Sequence, residues 1–139
     1  MYADSGAVLS WLFAEPDGEK IRRIVARSDR VVVSNLTLVE CDRTIIRATV
    51  ERRLAEAEAR ELHTLLASTA RRWSLMRLDD EVVSRARRPF ALEPLRALDA
   101  LHLASALIAR EGADAFALLS LDRRLREAAR HAGLAVAPA

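Results

Sequence analysis

Short apolar stretches alternate with amphipathic ones along the chain, and this alternation predicts strands that are followed by helices. The predicted strands are β-branched or apolar, and polar residues bound them. They cover residues 1–3, 31–33, 74–78, 115–121 and 134–136. Apolar strands separated by helices are typical of a parallel sheet that is covered on both faces. The pattern does not give the strand order.

Helical spacing of apolar residues predicts the elements between these strands. The predicted helices cover residues 5–14, 19–27, 36 to about 53, 55–72, 79 or 80 to 87, 95–110 and 122–131. Pro16 and Gly18 separate the first two helices, and Gly112 ends the sixth. The two helices between the second and third strands are expected to form a helical arm.

Composition narrows the class of protein. The 139 residues fit one domain, and 51% hydrophobic with 30% charged residues indicates a globular chain. Aromatic residues make up only 4%, which argues against a binder that stacks bases on aromatic rings. The net charge of +2 excludes a strongly basic nucleic-acid binder. All basic residues except Lys20 are arginines, which indicates either phosphate contacts or a codon bias.

The single cysteine and the apolar segments bear on location. Cys41 has no partner for an internal disulfide, so a reducing compartment is natural. The apolar stretches are shorter than the roughly 20 residues that span a bilayer, and no signal peptide precedes Asp4. We therefore expect a cytoplasmic protein without a membrane partner.

Two acids come directly after predicted strands. Asp4 follows the first strand, and Asp122 follows the strand at residues 115–121. Because ligands of open parallel sheets bind outside the carboxyl ends of the strands, both acids are expected at that crevice. Each could instead serve only as the N-cap of the next helix, a role that aspartate fills well.

Asp99 and Glu40 lie in apolar segments, where a carboxylate needs an explanation. Asp99 stands in the run LDALHLASALIA, and an ionised carboxylate there is costly unless it is paired or metal-bound. A buried pair with Arg96 or another arginine is the structural alternative to a metal ligand. Glu40 stands in the run LTLVEC, where it could also be a surface acid favoured by the helix N-terminus.

Together, these four acids indicate a cation site. Acids that converge on one crevice repel each other unless a cation is present. Oxygen ligands without a histidine or cysteine cluster suit magnesium or manganese rather than zinc. Such an ion activates water and stabilises charge on a phosphodiester. The predicted catalytic and metal-binding residues are Asp4, Glu40, Asp99 and Asp122.

Other polar residues are interpreted as structural. His102, one turn after the third acid, is interpreted chiefly as a core residue, with support of the acids as the alternative. Asp42 is expected to be solvated or paired with Arg43, and Cys41 to be a small buried hydrophobe. His63 suggests no function.

Four segments resemble the motifs of PIN domains. The segment YADSGAVL at residues 2–9 resembles their opening, and SNLTLVE at 34–40 their second acidic motif. The segment LRALDALHLASA at 95–106 is similar to the third motif, and LSLDRRL at 119–125 to the fourth. Gly6 stands where Ser or Ala is usual, and Ser120 where Thr is commoner. The length and the helical arm resemble VapC-like toxins of toxin–antitoxin pairs.

The resemblance implies a PIN-like three-layer α/β/α sandwich with a mainly parallel sheet, forming one domain over residues 1–139. It implies an endoribonuclease toxin that depends on magnesium or manganese, with the four acids as its site. It also implies a homodimer that is inhibited by a cognate antitoxin protein, and we expect that antitoxin to place an arginine among the acids.

Other functions fit parts of the pattern. A phosphoacceptor signalling domain also has acids at a sheet crevice, but it needs a lysine after a late strand, and Lys20 is the sole lysine. A PIN fold that binds RNA or a partner without cutting stays open, as does a metal-dependent nuclease acting on DNA.

Overall fold

A computed structural model describes residues 1–113 and 115–139 and shows a parallel sheet between two layers of helices. The strands are Tyr2–Ala3 (β1), Val32–Ser34 (β2), Ser74–Met76 (β3), Ala117–Leu119 (β4) and Ala135–Ala137 (β5). The helices are Ser5–Leu12 (α1), Gly18–Ala26 (α2), Asn35–Val50 (α3), Glu56–Ala70 (α4), Asp80–Ala86 (α5), Ala97–Arg110 (α6) and Arg123–His131 (α7). This confirms the predicted three-layer α/β/α sandwich.

The strand order creates a crevice at the centre of the sheet. The order is β3-β2-β1-β4-β5, and all paired strands run parallel. Tyr2 pairs with Val32 on one side and with Leu118 on the other. Since the crossovers from β1 and β4 proceed in opposite directions, the carboxyl ends of these two strands flank the point where ligands bind in open α/β sheets.

Alternation along the strands divides the core into two clusters. Tyr2 and Leu118 belong to a cluster that includes apolar side chains of α5, α6 and α7. Ala3 and Leu119, the next residues along, belong to a second cluster with side chains of α1 to α4. Successive strand residues point to opposite faces, so the sheet is buried on both sides.

Several predicted helices end earlier in the structure than apolar spacing suggests. Ala14 has a φ of 50° and Arg52 a φ of 56°, both in the left-handed region that ends a right-handed helix. As a result, α1 and α3 stop before residues 14 and 53. The predicted helical arm is the pair α3 and α4, which pack together while Leu66 reaches into the core. None of the described helices is long and apolar enough to cross a membrane.

Candidate active site

Asp4 and Asp122 are linked at the carboxyl edge of the sheet through Ser120. Asp4 Oδ1 accepts a hydrogen bond of 2.8 Å from the Ala7 amide, and Asp4 Oδ2 accepts one from Ser120 Oγ. Ser120 Oγ in turn accepts from the Asp122 amide at 3.1 Å. Asp122 Oδ1 accepts from the Leu125 amide at 2.8 Å. Both acids therefore act as helix N-caps, which was the alternative to a functional role. They also lie at the carboxyl ends of the strands, as predicted.

The environment of Asp4 disfavours a charge. The residue is only 4% exposed, and burial raises the pKa of its carboxyl group. The charge of Asp122 raises it further, whereas the hydrogen bonds from Ser120 and Ala7 and the charge of His102 act in the opposite direction. An ionised Asp4 is consequently costly unless a cation comes near it.

Arg96 joins Asp99 to Asp122. Its Nε donates to Asp99 Oδ2 at 2.9 Å, and its Nη2 lies 3.6 Å from Asp122 Oδ2. The pairing of Asp99 with Arg96, which was the structural alternative to a metal ligand, thus occurs. However, the Arg96 side chain is 71% exposed, whereas that of Asp99 is 12% exposed. The pair is therefore not the fully buried one that would explain Asp99 as a structural residue.

Glu40 is held by a chain of buried polar groups. Its Oε2 lies 2.6 Å from His102 Nε2, and His102 Nδ1 lies 2.8 Å from the Tyr2 hydroxyl. That hydroxyl also lies 2.9 Å from Ser34 Oγ. Because a carboxylate only accepts, Nε2 must carry a proton directed at Glu40. His102 is buried as predicted, but it also supports an acid, so the interpretation as a simple core residue was incomplete.

The pKa values of Glu40 and Tyr2 follow from burial and from hydrogen bonding. Burial alone would raise the pKa of Glu40, but the hydrogen bond and charge of His102 and a hydrogen bond from Ser5 outweigh it, so the pKa is lowered. Burial raises the pKa of Tyr2 to about 12, which keeps its hydroxyl protonated. Glu40 is therefore held as a carboxylate by neutral or cationic donors.

The predictions for the two residues that follow Glu40, Cys41 and Asp42, have different outcomes. Asp42 was predicted to be solvated or paired with Arg43, but its Oδ1 lies 2.7 Å from Nδ1 of His63. The contact joins α3 to α4, so it is a structural link in the helical arm. The Asp42 side chain is 48% exposed, which agrees with the predicted solvation, but its charged partner is His63 rather than Arg43. Cys41 is fully buried, as expected, and burial raises the pKa of its thiol.

Contacts among the described residues link three of the predicted acids, Asp4, Asp122 and Asp99, while Glu40 contacts His102, one turn after Asp99; they do not form a ready-made metal cage. No group of three acids, histidines or cysteines in the described ranges is close enough to hold a metal ion as the side chains stand. Glu40 faces His102 and Asp99 faces Arg96, so two of the acids have nitrogen partners. The donors are nevertheless carboxylates, which fit magnesium or manganese. A guanidinium already lies between two of them, where a cation is favoured.

Sequence reasoning missed the hydrogen-bonding residues behind the acids. Ser120 connects two acids, and Tyr2 and Ser34 continue the contacts of Glu40 through His102. Ser120 could have been found, because it stands at a strand end two residues before an acid. Tyr2 could not, since only the paired positions of β1 and α6 bring its hydroxyl to a histidine that is 100 residues away.

Comparisons with known proteins identify the family and agree with the fold. Residues 1–131 match the family described as PIN domain. The chain is 33% identical over 136 residues to Ribonuclease VapC46 of Mycobacterium tuberculosis, covering 98% of this chain and 95% of that protein. The crystal structure of FitAcB from Neisseria gonorrhoeae superimposes with a TM-score of 0.74 at 17% identity, covering 97% of this chain and 94% of the other.

A second solved structure shows the same fold. VapC20 of Mycobacterium tuberculosis, described as a sarcin–ricin loop cleaving toxin, has a TM-score of 0.62 at 16% identity. The match covers 91% of this chain and 93% of VapC20. The chain therefore belongs to the PIN domain family, and it is a VapC-like member of that family.

Proposed function

We propose that this protein is an endoribonuclease that cleaves RNA with magnesium or manganese held by Asp4, Glu40, Asp99 and Asp122. The observation that supports the proposal is the set of contacts between these acids: Ser120 links Asp4 to Asp122, and Arg96 links Asp122 to Asp99. Glu40 contacts His102, which lies one turn after Asp99 in α6. Acids brought near one another repel each other unless a cation is present. A stabilising role in the fold does not require such a grouping.

The chemistry assigned to these residues follows from their surroundings. A divalent ion bound there would lower the pKa of a water molecule and offset charge on the phosphodiester. Asp4 is fixed by the Ala7 amide and Ser120, so its carboxylate would hold the ion without a large loss of side-chain freedom. His102 keeps Glu40 oriented, as hydrogen-bonded partners of ligands commonly do.

RNA is the substrate that the relatives favour. One relative carries the name ribonuclease, and one structural neighbour is described as cleaving the sarcin–ricin loop. Because that neighbour is only 16% identical, we extend RNA cleavage to this chain but not the particular RNA target. We place the activity in the cytosol, where cellular RNA lies.

The test is cleavage of end-labelled RNA by the purified wild-type chain in magnesium, manganese and EDTA, beside DNA of the same sequence. We expect internal cuts in RNA with either ion and none in EDTA. Cutting of DNA alone would support the DNA nuclease instead. Binding of RNA without cleavage in either ion would support the silent RNA-binding module.

We further propose that the protein is a toxin that forms a homodimer and binds a cognate antitoxin. Exposed apolar side chains support a protein partner, because α3 presents Val39, Ile46 and Val50 at helical spacing. A surface groove lined by Leu9, Ile46 and Val50 also includes Glu40. Since the crevice already accommodates the guanidinium of Arg96, an antitoxin arginine could pair with the same acids.

These partner proposals have separate tests. Light scattering at micromolar concentration is expected to give the mass of two chains, and a strictly monomeric mass would contradict the homodimer. The proposal expects a small reading frame for the antitoxin next to this gene, and co-expression of the two should give a stable complex that no longer cleaves RNA. A complex that forms and leaves cleavage unchanged would contradict inhibition.

A further inference from the structure

Arg96 occupies an unusual position for an exposed residue. It precedes α6 as the N-cap residue, but its side chain makes no capping hydrogen bond. The guanidinium instead reaches two predicted metal ligands, Asp99 and Asp122, through Nε and Nη2. In each acid it is Oδ2 that faces the guanidinium, while Asp122 Oδ1 accepts the hydrogen bond from the Leu125 amide.

This pairing is easily broken. An ion pair with one largely exposed partner contributes little to stability, because water screens the charges and the long side chain gains freedom when released. Arg96 is 71% exposed and lies at the beginning of α6, so release requires no repacking of the core. A divalent ion has twice the charge of a guanidinium and would compete well for carboxylates.

A released guanidinium would remain beside the crevice and meet the substrate. Four acids with one divalent ion still carry a net negative charge, which repels RNA unless positive groups lie close by. Arginine presents a planar fork of donors that matches phosphate oxygens. Arg123 and Arg124 line a neighbouring groove, but Glu93 and Glu127 line it as well and offset their charge, so that groove does not supply the positive charge in place of Arg96.

We propose that Arg96 has two alternating partners: Asp99 and Asp122 in the metal-free protein, and a phosphate of the RNA substrate once those acids hold the ion. Arg96 thus competes with the metal ion in the metal-free protein, and it binds the substrate once the ion has displaced it from the acids. This inference rests on the proposed metal-dependent cleavage of RNA. It predicts opposite effects of one substitution on two ligands, which a merely structural arginine would not produce.

The experiment compares Arg96→Gln with wild type and with Arg22→Gln. Arg22 is a suitable control, because it is also exposed and also pairs with an acid three residues away, in α2. Mn²⁺ affinity is measured by calorimetry without RNA. Affinity for a fluorescein-labelled mixed-sequence single-stranded RNA is measured by anisotropy in Ca²⁺, at several salt concentrations.

We expect Arg96→Gln to bind Mn²⁺ roughly two- to tenfold more tightly and RNA roughly three- to tenfold more weakly. The slope of log affinity for RNA against log salt should become shallower by about 0.7, the contribution of one phosphate contact on a single strand. Arg96→Lys should keep the wild-type slope, since the charge remains. Arg22→Gln should match wild type in both measurements.

Either of two results overturns the inference. One is an Mn²⁺ affinity of Arg96→Gln that is unchanged or weaker, and the other is an unchanged RNA affinity and salt slope. If wild type binds Mn²⁺ and cleaves RNA while Arg96→Gln equals Arg22→Gln, only the role of Arg96 fails. If wild type neither binds Mn²⁺ nor cleaves RNA, the proposed function fails together with it.

Discussion

The carboxyl group of Asp4 has almost no access to water, so the free-energy cost of ionising it in the folded protein should make stability depend on pH. Burial raises its pKa in the folded protein, so the folded chain keeps a proton that the unfolded chain releases above about pH 4. The stability linked to that proton is complete below the unfolded pKa. It is lost as the pH rises through the raised folded pKa.

We therefore predict that Asp4→Asn gains stability relative to wild type as the pH increases from about 4 to about 7 in EDTA. The amide cannot ionise, so the free energy of unfolding of the substituted protein does not fall as the pH rises through the Asp4 pKa. Thermal melting at several pH values measures the difference. Asp80→Asn, at an exposed acid in the first turn of α5, should show no such trend. A difference between Asp4→Asn and wild type that does not change with pH would contradict the prediction.

Individual residues also show how far sequence reasoning reaches. Asp4 and Asp122 could be placed at one edge, because each follows a strand and parallel strands end on the same side. Asp99 could be singled out because its helix is otherwise apolar. The contact of Asp42 with His63 could not be predicted, since it depends on how α3 packs on α4 and not on local spacing.

At the scale of elements, a buried hydrogen-bonded chain couples β1, α6 and α3. We predict that Tyr2→Phe lowers the free energy of unfolding by about 1–2 kcal/mol, because the change leaves His102 Nδ1 and Ser34 Oγ without the hydroxyl. The ring that packs in the core is retained. Mn²⁺ affinity should fall about tenfold, since His102 then holds Glu40 less firmly.

Urea unfolding and calorimetry test this coupling. A loss of stability without any loss of Mn²⁺ affinity would show that the hydroxyl only supports the fold. Unchanged values in both measurements would contradict the coupling altogether.

The packing of α1 on α2 depends on a glycine. A Cβ added at Gly18 would lie 2.4 Å from the carbonyl oxygen of Ser10, a backbone atom that cannot move away cheaply. We predict that Gly18→Ala lowers the free energy of unfolding by about 1–3 kcal/mol. Gly6→Ala is the matched control, because the nearest atom there is Asp4 Oδ1 at 3.7 Å. In urea unfolding, the control should instead gain up to about 1 kcal/mol from helix propensity.

A stability of Gly18→Ala equal to that of wild type would show that the two helices separate without cost. The contrast between the two glycines illustrates a limit of sequence reasoning about elements. Both stand near the start of a helix, and only the three-dimensional packing distinguishes them. The strand order is a second example, because periodicity identifies strands but not their neighbours.

At the scale of the whole molecule, the chain is expected to unfold as the single domain predicted from its length. Trp11 of α1 and Trp73, which precedes β3, contact each other with ring centroids 6.4 Å apart. Their fluorescence therefore reports on distant parts of the sequence. We predict that tryptophan fluorescence and far-UV circular dichroism give coincident urea transitions. Two separated transitions would contradict a single cooperative unit.

The central claim is that the crevice acids act on RNA and are not structural. Asp99 is the most informative of them, because its partner Arg96 is exposed and loss of the pair leaves no buried charge. Asp99→Asn should therefore stay folded, with a melting temperature in EDTA within about 5 °C of wild type. A fully buried pair would instead cause a much larger loss.

The most direct measurement is the rate at which folded Asp99→Asn cleaves RNA in saturating Mn²⁺, beside wild type and Asp80→Asn. We predict a reduction of about a hundredfold or more for Asp99→Asn, because the neutral amide is a poor ligand for a divalent ion. Asp80→Asn should cleave at the wild-type rate. Cleavage by folded Asp99→Asn at the wild-type rate would contradict the assignment of these acids as the catalytic centre.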